Sequence, residues 1–303
     1  MTESIKNYLK IGIVHFMAYP ECMKGEGPIE ETAKKILSDD YFDAIEITWI
    51  KDEGIRKKIK SMIETSGVSV GYGAQPRLLT TGYNLNSLDE GNRRAAIDTI
   101  KEAIDEAYEF KAEGLGFLSG KYAEDKKGEA YKMLASSVGE LLEYAKNKGD
   151  MPLLLEIFDY DIDKKSLIGP TSLAKKFAED ITQKYDNFGL MVDLSHIPMQ
   201  HETLEEAILP LKQYVRHVHM GNTVIKSPDF LGYGDNHPRF GFPNGENAVG
   251  ELTEFLRILM QIGFVSKAKR PIVSFEVKPI GDEDPDLVIA NAKRTLNLAW
   301  ARV

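Results

Sequence analysis

Four short apolar runs in this chain end on a carboxylate or an imidazole, the side chains that ligate metals and move protons. Residues 153–156 (LLLE) end in a glutamate, 191–193 (MVD) in an aspartate, 215–219 (VRHVH) in a histidine pair and 272–276 (IVSFE) in a glutamate. One buried strand that stops on such a residue is unusual. Four in succession imply one site assembled from neighbouring strand ends. Side chains alternate along a strand, so His217 and His219 share a face while Val218 takes the other. His219 is nearer the end and is the expected ligand, with His217 a layer below. Glu156, Asp193, His219 and Glu276 then form a mostly hard-oxygen set. It suits one divalent cation, Mn²⁺, Mg²⁺ or Co²⁺, with Zn²⁺ also compatible. Each carboxylate taken singly could equally pair with a Lys or Arg or cap a helix. That account weakens for all four together, because unpaired charges in one mouth are costly without a cation. His196, three residues after Asp193, could bind substrate or a second metal, or cap its loop.

The elements that must position these residues alternate regularly. Apolar β-type runs cover residues 8–17, 42–49, 68–75, 114–119, 152–158, 189–194, 215–220 and 271–277. Each is followed by a helical pattern, at about residues 28–37, 52–65, 90–112, 128–147, 171–185, 204–213, 246–262 and 286–301. Ser87-Leu88-Asp89-Glu90 has the form of a capping box for the third helix. Unbroken βα alternation predicts a parallel sheet, since each right-handed crossover returns the chain to the same edge. Eight units most naturally close into a (β/α)8 TIM barrel. The class is therefore α/β, with residues 1–303 forming a single domain. An open doubly wound sheet would want a Gly-rich phosphate loop after the first strand, and residues 17–27 contain none.

Composition excludes several function classes. The net charge of −9 opposes a broad nucleic-acid footprint. The single cysteine, Cys22, rules out an internal disulfide or a Cys-based zinc site. It reads as a small loop or core residue. No charged-then-apolar leader opens the chain, and no apolar run reaches about 18 residues. A cytoplasmic protein with no membrane partner is expected.

Together the motifs LLLEIFD, VDLSH, RHVHMGN and SFEVKP, in that strand order, resemble the xylose-isomerase-like superfamily of metal-dependent (β/α)8 barrels. More narrowly they resemble the branch of ketose 3-epimerases, inosose dehydratase-like proteins and hydroxypyruvate isomerase. The resemblance implies that Glu156, Asp193, His219 and Glu276 bind one divalent metal. It implies that Glu156 and Glu276 also act as acid and base on opposite faces of a sugar, and that His196 contacts substrate oxygens. A sugar or sugar-derivative isomerase or epimerase is the leading expectation, with a homodimer or homotetramer as its assembly. A dehydratase on a keto-inositol or keto-acid would begin with the same proton abstraction. A non-catalytic sugar-binding barrel is weaker.

The long loop after the seventh strand departs from the epimerase pattern. Its Asp235 and His237 resemble the Asp-x-His that binds a third zinc in endonuclease IV, a phosphodiesterase branch of the superfamily. That branch also uses histidines after its second to fourth strands. Here those strands end in Trp49, Gln75 and Ser119, so a three-zinc site is incomplete. Asp235, His237 and Arg239 are instead expected to form a substrate-contacting flap, with Arg239 for a phosphate or carboxylate. The bland alternative is a loop folded on itself through an Arg salt bridge. Further candidates for substrate contact are His15 at the end of strand 1, Trp49 as a stacking surface, Gln75, and Lys278. Lys278 shares parity with Glu276 and would neutralise it or meet an anionic substrate. Glu46 lies inside the second strand.

Overall fold

In a computed structural model, which describes residues 3–303, the apolar runs become strands of one parallel sheet. They are β1 (Lys10–Ile13), β2 (Ala44–Ile47), β3 (Ser69–Gly73), β4 (Leu115–Leu118), β5 (Leu153–Glu156), β6 (Phe188–Asp193), β7 (Val215–Gly221) and β8 (Ile272–Glu276). The order β1-β8-β7-β6-β5-β4-β3-β2 runs around a barrel, and a parallel bridge between Val14 and Glu46 spans the remaining seam. The helices are α1 (His15–Ala18), α2 (Ile29–Leu37), α3 (Glu53–Ser66), α4 (Gln75–Thr81), α5 (Glu90–Glu109), α6 (Lys127–Lys146), α7 (Thr171–Thr182), α8 (His196–Met199), α9 (Leu204–Ile208), α10 (Val249–Gln261) and α11 (Pro285–Trp300). This is the (β/α)8 TIM barrel that the alternation predicts.

Strand parity divides the core from the site. Leu155, Val192, Val218 and Phe275 each precede an inward polar residue and belong to the main apolar core. Each such buried side chain contributes roughly 1.5–3 kcal/mol. Because they face outward, Glu156, Asp193, His219 and Glu276 must face the barrel interior. Among the described residues, no helix is long and apolar enough to cross a membrane. Cys22 is buried against Thr32, its Sγ 3.6 Å from Oγ1.

Three local expectations shift. β1 stops at Ile13, and the apolar residues that follow form the single turn α1. A short apolar run does not distinguish strand from buried helical turn. β3 stops at Gly73, and Gln75 opens α4, where Pro76 in the first turn favours helix. The cap of α5 is Asp89, which accepts from Gly91 and Asn92, and not the Ser87 box.

Candidate functional site

Register brings the four ligand-type residues level. Asp193 pairs with His219 across β6 and β7. Gly221 pairs with Glu276 across β7 and β8, and Glu156 with Met191 across β5 and β6. One atom from each of Glu156, Asp193, His219 and Glu276 lies within 4.8 Å of the others, and all four side chains are buried. His219 Nδ1 is 2.6 Å from Glu276 Oε2 and 3.8 Å from Glu156 Oε1. Glu156, His219 and Glu276 line a cavity of about 650 Å³ at the C-terminal mouth, the end at which such barrels carry their active sites.

A supporting layer fixes these side chains. Glu46 on β2 reaches across the barrel and accepts from both β7 histidines, His217 Nε2 at 2.7 Å and His219 Nε2 at 3.2 Å. Gly71 leaves it room, since a Cβ there would lie 2.8 Å from Glu46 Cγ. Gln75 Nε2 donates to Glu156 Oε2 at 2.7 Å, and Gly116 makes way for it, as a Cβ would meet Nε2 at 2.8 Å. Asp193 accepts from the N–H and the hydroxyl of Ser195, each at 2.7 Å. Carboxylates that orient the far nitrogen of a ligand histidine are a regular part of metal sites.

The loop after β7 folds over the same floor. Asn247 Nδ2 donates to the carbonyls of Leu194 and Gly221, and Asn222 Oδ1 accepts from the N–H of Asn247. This tether returns Asp235 and His237 to the mouth, with His237 in the left-handed region at φ 48°. Asp235 Oδ1 meets His237 Nε2 at 2.6 Å and His196 Nε2 at 3.0 Å. Its other oxygen meets Lys164 at 2.7 Å. Lys164 is presented by the loop after β5, where Asp159 accepts from the backbone N–H groups of Ile162, Asp163, Lys164 and Lys165. His196 donates Nδ1 to the Ile157 carbonyl at 3.0 Å and packs its ring on Phe158.

Electrostatics follow from burial and crowding. Burial, reinforced by Glu276, pushes the Glu156 carboxyl up to about 8, and burial also raises Asp193. Burial would raise Glu276 too, but His237 and His219 outweigh it and hold that carboxyl down to about 2. Burial opposes charge on His196 and His237, yet Asp235 and Asp193 raise the first to about 10, and Glu276 and Asp235 the second to about 9. His219 is pushed well above its ordinary range, with Glu46 and Glu276 overcoming burial. Protons on the histidines thus offset a surplus of carboxylates, the arrangement a divalent cation would replace. Glu156 Oε1 is buried with no hydrogen-bond partner among the described residues. An orphaned carboxylate oxygen beside two more carboxylates and an imidazole fits a cation.

The cavity lining includes Gln75, Glu156, His219, Asp235, His237, Glu276 and Lys278. Asp193 and His196 are completely buried beneath it. Three candidates point elsewhere. His15 begins α1, and its Nε2 meets Thr32 Oγ1 on α2 at 2.8 Å, so it faces the helix layer. Trp49 donates its indole N–H to the Met23 carbonyl and lies between Lys51 and Arg77, lining a separate surface cavity. Arg239 is held by Glu283 at 2.8 Å, the self-contained salt bridge of the bland alternative. The sequence reading gave Glu46, Ser195 and Lys164 no role. Glu46 shows a signal in retrospect, a carboxylate inside an apolar strand (DAIEI). Lys164 shows none, because its place depends on a loop.

A parallel eight-stranded barrel whose mouth gathers three carboxylates and a histidine from β5–β8 defines a class, the (β/α)8 barrels with a candidate metal centre at their C-terminal end. The chain belongs to the xylose isomerase-like TIM barrel family, whose pattern matches residues 37–296. It is 36% identical over 144 residues to fructoselysine 3-epimerase of Shigella flexneri, a match that spans 43% of this chain and 49% of that protein. Among solved structures, L-ribulose 3-epimerase superposes with a TM-score of 0.71 at 18% identity, over 97% of this chain and 96% of that one. D-psicose 3-epimerase from Clostridium cellulolyticum, solved with D-tagatose, gives 0.70 at 17% identity, over 97% and 99%. At these identities the superpositions establish the shared fold.

Proposed function

We propose that this chain is a divalent-metal-dependent epimerase or isomerase acting on a ketose or ketose derivative. The carrying observation is that Glu156 and Glu276 converge on His219 with no Lys or Arg in ion-pair contact with either, among the described residues. The relatives' names, 3-epimerases of fructoselysine, ribulose and psicose, agree with this reading. Glu156, Asp193, His219 and Glu276 would hold the cation. When bound, it supplies the positive charge that acidifies the C–H beside a carbonyl and stabilises an enediolate. One of Glu156 and Glu276 takes that proton and the other returns one on the opposite face. Return to the same carbon gives an epimer, and return to the neighbouring carbon gives an isomer. Gln75 orients Glu156. His237 lines the cavity toward substrate, and His196, whose two ring nitrogens are taken by the Ile157 carbonyl and Asp235, holds Asp235 against it from beneath. A homodimer or homotetramer remains the proposed assembly.

The test is solvent exchange. The purified protein is stripped of metal, reloaded with Mn²⁺, Co²⁺, Mg²⁺ or Zn²⁺, and incubated with ketoses in D₂O. Deuterium should enter the carbon next to the carbonyl, and this should vanish in Glu156→Gln and Glu276→Gln. One observation favours a competitor. Asp193, His196 and His237 also bring ligand atoms within 4.8 Å of one another, as a polynuclear zinc phosphodiesterase requires. Two or more tightly held zincs together with cleavage of abasic DNA would replace the epimerase reading.

A further inference from the structure

Three lysines line the cavity above the carboxylates, Lys121, Lys164 and Lys278, and they differ in what holds them. Lys164 lies between Asp163 at 3.0 Å and Asp235 at 2.7 Å, so its charge is spoken for. Lys121 is exposed at the rim. Lys278 is half-buried, and its ammonium meets Asn236 Oδ1 at 2.8 Å, with no carboxylate in ion-pair contact among the described residues. Asn236 is itself fixed, donating Nδ2 to the Tyr233 carbonyl at 2.7 Å. The Lys278 backbone is fixed too, donating its N–H to the His237 carbonyl at 2.7 Å. An ammonium has three donors. Asn236 takes one and steers the head group, leaving the others to face the cavity.

Position gives this free charge a meaning. Lys278 is two residues beyond Glu276, at most about 7 Å along an extended chain. Both residues line the same cavity, so the far end of a substrate reacting at Glu276 can meet the Lys278 ammonium. Long lysine stems usually carry their charge out to solvent, whereas this one is clamped in the cavity wall. Arg239, the cation that the sequence suggests for an anionic substrate, is occupied by Glu283. We infer that Lys278 anchors a terminal anionic group, a phosphate or a carboxylate, so that the substrate is an acidic ketose derivative and not a free sugar. This rests on the epimerase reading and names its substrate class.

The experiment compares three probes with one carbon skeleton, D-fructose, D-fructose 6-phosphate and D-fructuronate. Deuterium exchange in D₂O with Mn²⁺ gives kcat/KM for each. Charge-assisted contacts of this kind predict a preference of about 10–100-fold for at least one acid over fructose, and the favoured acid identifies the group. In Lys278→Gln that preference should collapse toward unity, and in Lys278→Arg it should largely survive. Arg239→Gln and Lys121→Gln should keep it. The inference is overturned if wild type handles fructose as well as both acids. It is also overturned if Lys278→Gln slows all three probes alike, or if the preference follows Lys121. Exchange into fructose would still stand in those cases, leaving the epimerase reading intact. Absence of exchange into all three probes with every metal would remove that reading and this inference together.

Discussion

Two of the buried ionic clusters in this barrel are built on opposite plans. Behind β2 and β3, Glu106 of α5 accepts from Arg77 Nη2 at 2.6 Å and from the N–H of Ile50 at 2.9 Å. The same Arg77 nitrogen reaches Tyr72 Oη at 2.9 Å, and the Trp49 ring covers the guanidinium. Each oxygen of Glu106 has a permanent donor, and the balancing charge belongs to the buried guanidinium of Arg77. In the mouth, among the described residues, the ion-pair partners of Glu156, Asp193 and Glu276 are histidines, and one oxygen of Glu156 has no hydrogen-bond partner. A cluster neutralised by fixed residues is finished when the chain folds. One neutralised by protons can exchange them for a cation or pass them to a substrate.

The largest expected effects set these plans against each other. Glu156→Gln and Glu276→Gln should each lower deuterium exchange by about 10²–10⁴-fold, and Glu156→Gln should cost little stability, since burial pushes that carboxyl up to about 8 and it is already neutral at about pH 7. Glu106→Gln should do the reverse. It leaves buried Arg77 with only the exposed Glu102 at 3.5 Å as counter-charge, which costs about 3 kcal/mol, while exchange continues. Urea unfolding and exchange rates on the same preparations decide the matter. If Glu156→Gln destabilises as much as Glu106→Gln, the mouth is a structural cluster and the contrast fails.

His15 offers a third case, a buried titratable group in neither cluster. Thr32 Oγ1 donates to the Pro28 carbonyl at 2.8 Å, so it accepts from His15 Nε2, which fixes a neutral tautomer. Burial lowers His15 to about 4 from 6.5. The folded pKa lies below the unfolded one, so the stability linked to this group is complete above pH 6.5. It is lost as pH falls from there through 4, because the unfolded chain takes up the proton first. The shift corresponds to about 3 kcal/mol. The stability gap between wild type and His15→Gln should narrow by that order between pH 7 and pH 4. A gap that does not change with pH would show that His15 is charged or solvated in the fold.

Glu46 should act on metal affinity. Removing a carboxylate that orients a ligand histidine typically weakens binding by about 10–100-fold. Titration calorimetry of the stripped protein with Mn²⁺ should show this for Glu46→Gln. It should also show wild-type affinity rising with pH, since the raised pKa of His219 means that a cation must displace a proton. Unchanged affinity in Glu46→Gln would make Glu46 a partner of His217 alone.

What the sequence revealed divides along similar lines. The strand-end residues were legible because their places follow from strand parity, which is local. Glu156, Asp193, His219 and Glu276 needed only the βα alternation to be brought to one end. Contacts made by loops were not legible in this way. His15 looked like a strand terminus because four apolar residues after β1 fit a helical turn as well as a strand. Trp49 and Arg239 are the right residue types for a sugar and an anion, but each found a nearer partner, Arg77 and Glu283. Lys164 enters the site through a turn that Asp159 caps, a long-range result with no periodic signature.

Arg239 gives the smallest effect and the sharpest boundary to the comparison. Its pair with Glu283 is partly exposed, with side chains 33% and 24% accessible, and its guanidinium also lies over Phe242 at 5.5 Å. Glu283 keeps a second contact, accepting from the N–H of Ile280 at 3.1 Å, so losing the arginine leaves it neither buried nor alone. Solvent screening limits such a pair to under about 1 kcal/mol. Arg239→Gln should therefore lower stability slightly, by less at high salt than at low salt, and leave kcat and KM within about twofold, a change of under half a kcal/mol. A tenfold rise in KM for an anionic ketose, with kcat unchanged, would mean that Arg239 leaves Glu283 to bind substrate. The anion site would then belong to the loop after β7 and not to the end of β8.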